Sequence, residues 1–198
     1  MSTVYRKVLR CFLACCAIAL GAILWRLPET AAAPPHFAGR GVAQADPWAS
    51  AAGKVVVLIF VRTDCPIANR YAPEIMRLSA AHASDAAFWM VYPDKRESSE
   101  EIRKHELAYH LALPVLRDPQ REWMKRAQVS VTPEAAVFDG KGRLVYHGRI
   151  DNWFEDFGRA RPAPTTHELA DAIAAAVSGH PATLPSMAAV GCYLSDVQ

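Results

Sequence analysis

This chain carries no excess charge of either sign, no internal repeat, and no low-complexity tract beyond a richness in alanine. The formal net charge is only +2 over 198 residues, with acidic and basic side chains interspersed. That balance gives no footprint for nucleic acid, and a basic cluster such as Arg159 to Arg161 reads as a solvated loop. An apolar run of membrane-spanning length is also missing. The stretch CFLACCAIALGAILW has fifteen residues, within the range of an export-signal core and short of the ~20 that a helical span needs. It follows Arg6, Lys7 and Arg10, the basic-then-apolar order of an export signal, and Ala31-Ala32-Ala33 offers a cleavage site with Pro34 directly after it. A cleaved signal and an uncleaved N-terminal membrane anchor both fit residues 1–33, and either exports the remainder.

Cysteine is scarce once that segment is set aside. Of five cysteines, Cys11, Cys15 and Cys16 lie in the apolar run, where they read as filler. Cys65 and Cys192 remain, an even pair and so a candidate disulfide in an oxidising compartment. Residues 34–47, rich in Ala, Gly and Pro, read as a linker. Residues 48–180 are long enough for one domain with its own core. Residues 181–198 form a tail with little periodicity that ends in GCYLSDVQ.

Within the domain, strand and helix patterns alternate. Val55–Val61 is a near-continuous β-branched and aromatic run, the pattern of a strand buried on both faces. A helix is expected over about Ala68–Ala83, with Tyr71, Ile75 and Leu78 on one face. A strand at Ala87–Tyr92 leads to a helix at about Ser99–Leu111, opened by Ser98-Ser99-Glu100-Glu101 as cap and acidic first turn. Leu113–Leu116 suggests a short strand or loop, and Arg121–Gln128 a short helix. Two strand-like runs flank Asp139-Gly140-Lys141-Gly142, a hairpin signal. A last helix runs from about Thr166 to Val177, with Thr165 or Thr166 as cap and Gly179 as stop. Such an order implies an α/β fold, a central mixed sheet with helices on both faces.

Cys65 sits where the first strand breaks into a helix. There, unpaired backbone N–H groups and the helix dipole favour the thiolate, the reactive form of cysteine. Arg62 or Arg70 would add to that, while Asp64 would oppose it. The opposing reading makes Cys65 a small buried hydrophobe.

Three features carry a family resemblance: Cys65 with Ala72-Pro73 after it, Val131-Thr132-Pro133 before a hairpin strand, and the stretches CPIANRYAPEI, VTPEAAVFDGKGRLVYHGRIDN and FGRARPAPTTHEL with a terminal Gly191-Cys192. On these the chain resembles the thioredoxin fold, and within it the redoxin (AhpC/TSA-like, peroxiredoxin-like) domains of exported bacterial proteins, over roughly Asp46 to Cys192. The resemblance implies a thioredoxin-like fold with Cys65 as nucleophile. It also implies that Pro133 follows a cis bond facing the sulfur, and that Thr132 offers its backbone to an extended substrate. Ala68 stands where thioredoxins carry a second cysteine, so a CxxC dithiol is absent. Arg62 and Leu58 stand where peroxiredoxins carry Thr or Ser and Pro, which weighs against the usual peroxidase template.

The expected activity is that of an exported thiol–disulfide oxidoreductase, with Cys65 as nucleophile and Cys192 as resolving or bridging cysteine. Its partners would be protein thiols and disulfides, with membrane attachment through the N-terminal segment as a further expectation, and neither cofactor nor metal is required. One alternative is a thiol peroxidase acting on hydroperoxide through the same two sulfurs. The other is a non-catalytic module with a static Cys65–Cys192 bridge, which binds a partner or handles copper with a distant histidine such as His147. Trp153, Phe154 and Phe157 read either as cover for a sheet end or as a docking lip. His105 and His110 fall on a helix that reads as exposed, with no partner pattern.

Overall fold

The computed structural model describes Asp46–His180 and Ser186–Tyr193. The expected signal or anchor, its three cysteines and nearly all of the linker lie outside the described residues. Helix α1 (Pro47–Ala51) is capped by the Asp46 carboxylate, which accepts from the Trp48 N–H at 2.9 Å. Strand β1 (Val55–Phe60) follows, then helix α2 (Pro66–Ala81), β2 (Ala86–Tyr92) and α3 (Ser99–Ala108). Next come β3 (Val115–Arg117), α4 (Glu122–Ala127), β4 (Val131–Thr132), β5 (Glu134–Phe138) and β6 (Leu144–Gly148). The short pair β7 (Phe154–Asp156) and β8 (Arg159–Ala160), helix α5 (Glu168–Val177) and β9 (Cys192–Tyr193) complete the order.

Five strands form one mixed sheet in the order β3-β2-β1-β5-β6. β1, β2 and β3 are parallel, while β5 runs antiparallel to both β1 and β6. All six residues of β1 are buried, as its unbroken apolar run requires of a central strand covered on both sides. Alternate side chains feed two cores. Val55, Val57, Ile59 and Val61 pack with Tyr71, Ile75 and Leu78 of α2, Ile102 of α3, and Leu169 and Ile173 of α5. Val56, Leu58 and Phe60 pack on the opposite face with Ala51 of α1, Met124 and Ala127 of α4, and Phe138. Each of these large side chains stabilises the fold by about 1.5–3 kcal/mol over leaving it in water.

The helix ends follow their chemistry. Ser98 and Glu101 form a reciprocal capping box at α3, so two otherwise orphaned N–H groups are satisfied. The expected Thr cap of the last helix is not made. α5 begins at Glu168 with His167 before it and no side-chain cap bond. The N–H groups of Thr165 and Thr166 instead donate to Asn152 Oδ1 at 2.7 and 3.1 Å, and the Thr166 hydroxyl donates to Glu168.

Among the described residues no helix is long and apolar enough to cross a membrane.

Candidate active site

β1 hands the chain to the turn 62–65 and then to α2. Cys65 is the N-cap residue of α2, extended at φ −85° and ψ 109°, with Pro66 opening the helix. Proline suits that position because the N–H it lacks would have had no partner there. The Cys65 carbonyl accepts the first helical bond from Asn69 N at 3.0 Å. Its sulfur makes no capping bond and turns instead toward the loop before β5.

Side chains that the sequence pattern does not single out hold this turn from behind. Glu97 Oε1 accepts the Thr63 N–H at 2.6 Å, and Asn69 Nδ2 donates to the Thr63 carbonyl at 3.3 Å and to the Tyr109 hydroxyl at 3.0 Å. His105 Nε2 lies 2.8 Å from Asn69 Oδ1, and His105 Nδ1 lies 2.9 Å from the Tyr92 hydroxyl. The tautomer with the proton on Nε2 satisfies all these groups: it donates to Asn69 and accepts from Tyr92. Burial pushes the His105 pKa down, in keeping with a neutral ring. The exposed, unpartnered reading of His105 is therefore corrected. α3 is polar over most of its surface, but Ile102 and His105, three apart, share its buried side.

The second wall comes from β4 and β5. The Thr132–Pro133 peptide bond is cis. Glu134 Oε2 secures this loop by accepting from Ser130 N at 2.9 Å and Val131 N at 3.3 Å. The Thr132 carbonyl oxygen accepts from Cys65 Sγ at 3.0 Å.

The tail forms the third. β9 pairs antiparallel with β4, matching Thr132 with Cys192 and Val131 with Tyr193. The Thr132 hydroxyl donates to the Cys192 carbonyl at 3.4 Å, and Arg62 Nη1 donates to the Tyr193 carbonyl at 3.4 Å. Cys192 Sγ stands 2.7 Å from Cys65 Sγ, both sulfurs being free thiols. A disulfide measures about 2.05 Å, so the two sulfurs are within reach of a bond once an oxidant removes two electrons and two protons. The four residues singled out in the sequence, Cys65, Thr132, Pro133 and Cys192, thus come together at one point.

The electrostatics set the two thiols apart. Burial, the hydrogen bond to Cys65 and the Cys65 charge together push the Cys192 thiol up to about 12. Cys65 is fully buried, and Cys192 is half-buried. Arg62, three residues before Cys65, is engaged: Nη2 lies 2.7 Å from Asp64 and Nε 3.5 Å from Asp94. The Arg96 guanidinium beside Asp94 holds that carboxyl down at about 2. Arg70 turns away from the sulfur, its guanidinium 4.8 Å from the Trp153 ring and 5.2 Å from that of Phe154. Trp153 and the buried Phe154 pack on Tyr71, which leaves Phe157 as the exposed member of that aromatic cluster.

His147 faces Glu134, Nδ1 to Oε1 3.6 Å. Among the described residues no third His, Cys, Asp or Glu ligand atom stands close enough to both sulfurs to complete a three-ligand set. The group that does meet that spacing, Glu74, Asp151 and His167, lies elsewhere. Two of its members are already committed: Glu74 to Arg77, and Asp151 to the Tyr71 hydroxyl and the Trp153 N–H.

A cysteine at the first turn of a helix, faced by a cis-proline loop on a mixed sheet, defines a thioredoxin-like redoxin domain. The chain belongs to the AhpC/TSA family, which it matches over residues 35–147, more than half its length. It is similar in structure to a hypothetical protein from Sinorhizobium meliloti, with TM-score 0.59 and 21% identity, covering 72% of this chain and 79% of that one. An uncharacterized conserved protein from Geobacillus kaustophilus gives TM-score 0.59 and 20% identity, with the same coverage of 72% and 79%. A secreted Mycobacterium tuberculosis disulfide oxidoreductase homologous to Escherichia coli DsbE gives TM-score 0.44 and 21% identity over 66% of this chain and 85% of that one. At these identities the likeness is one of fold. No curated protein sequence matches the chain at a significant level.

Proposed function

We propose that this protein is an exported thiol–disulfide oxidoreductase in which Cys65 is the nucleophile and Cys192 resolves the mixed disulfide. The observation that carries the reading is the 2.7 Å approach of the two sulfurs beside the Thr132–Pro133 loop. The Cys65 thiolate attacks a partner disulfide, RS–SR′. A Cys65–SR bond forms, the S–S bond of the partner breaks, and R′S⁻ leaves and takes up a proton. Cys192, having lost its proton to solvent, attacks the Cys65 sulfur and expels RS⁻, which closes the Cys65–Cys192 bridge. Two electrons have then passed from the protein to the partner, and an external dithiol restores the reduced form. Export rests on the basic-then-apolar order of the first 25 residues, which also supports attachment to a membrane.

The test is to mix reduced protein with a peptide disulfide and map the products by mass. A Cys65–Cys192 bridge should appear in step with the reduced peptide. Cys192→Ser should accumulate the peptide on Cys65, and Cys65→Ser should do neither. A bridge that no dithiol reopens would leave the static, partner-binding module as the correct account.

A thiol peroxidase is the second reading, favoured by membership of the AhpC/TSA family. Against it stands Arg62, whose guanidinium is held by Asp64, Asp94 and the Tyr193 carbonyl instead of lying free at the sulfur. Loss of Cys65 thiol to hydroperoxide no faster than that of free cysteine removes this reading.

A further inference from the structure

The place where an extended partner would lie is already taken. A partner strand pairing with Thr132 must run along β4 and bring its cysteine to Cys65, and β9 does both. Cys192 is matched to Thr132 and its sulfur touches that of Cys65. Among the described residues β9 pairs through two residue pairs, Val131 with Tyr193 and Thr132 with Cys192, supplemented by two side-chain bonds, each 3.4 Å long, from Thr132 and Arg62. Tyr193 is largely exposed, and an open groove of about 530 Å³ lined by Phe157, Val190 and Tyr193 runs along the strand. So short a pairing, open along one flank, is displaceable.

The residue before Cys192 is pressed against the cis-proline loop. A Cβ on Gly191 would lie 2.3 Å from the Thr132 carbonyl oxygen, 2.7 Å from its carbon and 3.2 Å from Pro133 N. All three are backbone atoms, so no rotamer change relieves the contact. The same carbonyl oxygen accepts the Cys65 thiol at 3.0 Å, so moving it would also disturb the nucleophile. Only a bare Cα fits there.

We propose that Gly191–Tyr193 is a resident substrate mimic, and that the edge it occupies selects partners whose reacting cysteine sits on an extended segment directly after a glycine. This rests on the reading of Cys65 as the reacting sulfur. The tail and a partner compete for Thr132, and the tail bears the sequence the edge prefers.

The experiment uses full-length Cys192→Ser, whose tail keeps its strand without its sulfur, and Gly191→Ala/Cys192→Ser, whose added methyl collides with Thr132. Three probes are supplied: a Gly-Cys peptide and an Ala-Cys peptide, each with its cysteine as a 2-thiopyridyl disulfide, and free 2,2′-dithiodipyridine. In each reaction the Cys65 thiolate forms a new S–S bond and 2-thiopyridone leaves, with no net redox change. Peptide mapping assigns the adduct to Cys65 rather than Cys11, Cys15 or Cys16.

Release of the strand by Gly191→Ala should raise the Gly-Cys peptide rate at least ~10-fold, and the Ala-Cys peptide should remain at least ~10-fold behind it. Deletion of residues 191–198 in the same background should reproduce both results, which covers the case in which Gly191→Ala folds poorly. Equal rates for the two peptides, or no gain on release while 2,2′-dithiodipyridine still labels Cys65, would overturn the proposal alone. Failure of that small reagent to label Cys65 in the released variants would instead remove the nucleophile reading and the mimic with it.

Discussion

Cys192 should be a silent thiol until Cys65 has reacted. Its pKa is pushed up to about 12, first by burial and then by the hydrogen bond and charge of Cys65. At pH 8 such a group is a thiolate in only about one molecule in ten thousand. Replacing Cys65 by Ser removes the sulfur charge and leaves the burial. For each pH unit by which the Cys192 pKa then falls, the thiolate fraction rises about tenfold and its intrinsic nucleophilicity drops about threefold. The net gain is about threefold per unit, so Cys65→Ser should alkylate at Cys192 faster than the wild type. The assay is the initial rate of iodoacetamide labelling at Cys192 in reduced protein at pH 8, read by peptide mapping before a tenth of Cys65 has reacted. A Cys192 rate in Cys65→Ser equal to or below that of the wild type would refute the reasoning. The same physics times the proposed resolution step. Once Cys65 is bonded to a partner sulfur, the hydrogen bond and charge that help raise the Cys192 pKa are gone.

Two further outcomes test the frame around the site. Tyr71→Phe deletes the hydroxyl that donates to buried Asp151 at 2.6 Å, leaving that carboxylate with the Trp153 N–H; urea denaturation should show a loss of about 1–3 kcal/mol. Asp94 is held at about 2, chiefly by its hydrogen bond to Arg96. A carboxylate with a depressed folded pKa stabilises above its unfolded value, and that stabilisation is lost as pH falls through the folded one. The stability gap between wild type and Asp94→Asn should therefore be constant above about pH 5 and shrink between about pH 4 and 2. It should amount to about 1–2 kcal/mol after allowance for the exposure of Arg96. A gap independent of pH across that window, measured by denaturant titration, would contradict the assignment.

Much of this molecule was legible in its residues, for physical reasons that can be named. The run VVVLIFV admits no exposed face, so β1 had to be central, and a cysteine at its end had to face the start of a helix. The run DGKG marked the β5–β6 turn, where Gly142 takes φ +75° and Asp139 accepts from Lys141 N and Arg143 N at 2.9 Å each. Position alone flagged Thr132 and Pro133, through resemblance. What stayed hidden was polar and non-local. In SEEIRKHELA only the spacing of three from Ile102 hints that His105 points inward, because its partners, Asn69 and Tyr92, are 36 and 13 residues away. Glu134 left one trace, a charge at the head of the otherwise apolar EAAVF, and Glu97 left none. The tail has no periodicity to read, and its pairing exists only because Gly191 permits the approach to Thr132.

Strand β1 has a neighbour on each side, and the two are reached very differently. Phe60 meets Val91 of β2 soon after it is made, whereas Val56 waits for Phe138. A ribosome adding about 5–20 residues per second leaves one flank of the oiliest segment in the domain unpaired for several seconds. For that interval VVVLIF is a naked template for any other extended chain. That exposure ends when Glu134–Phe138 emerges and pairs along the open flank of β1.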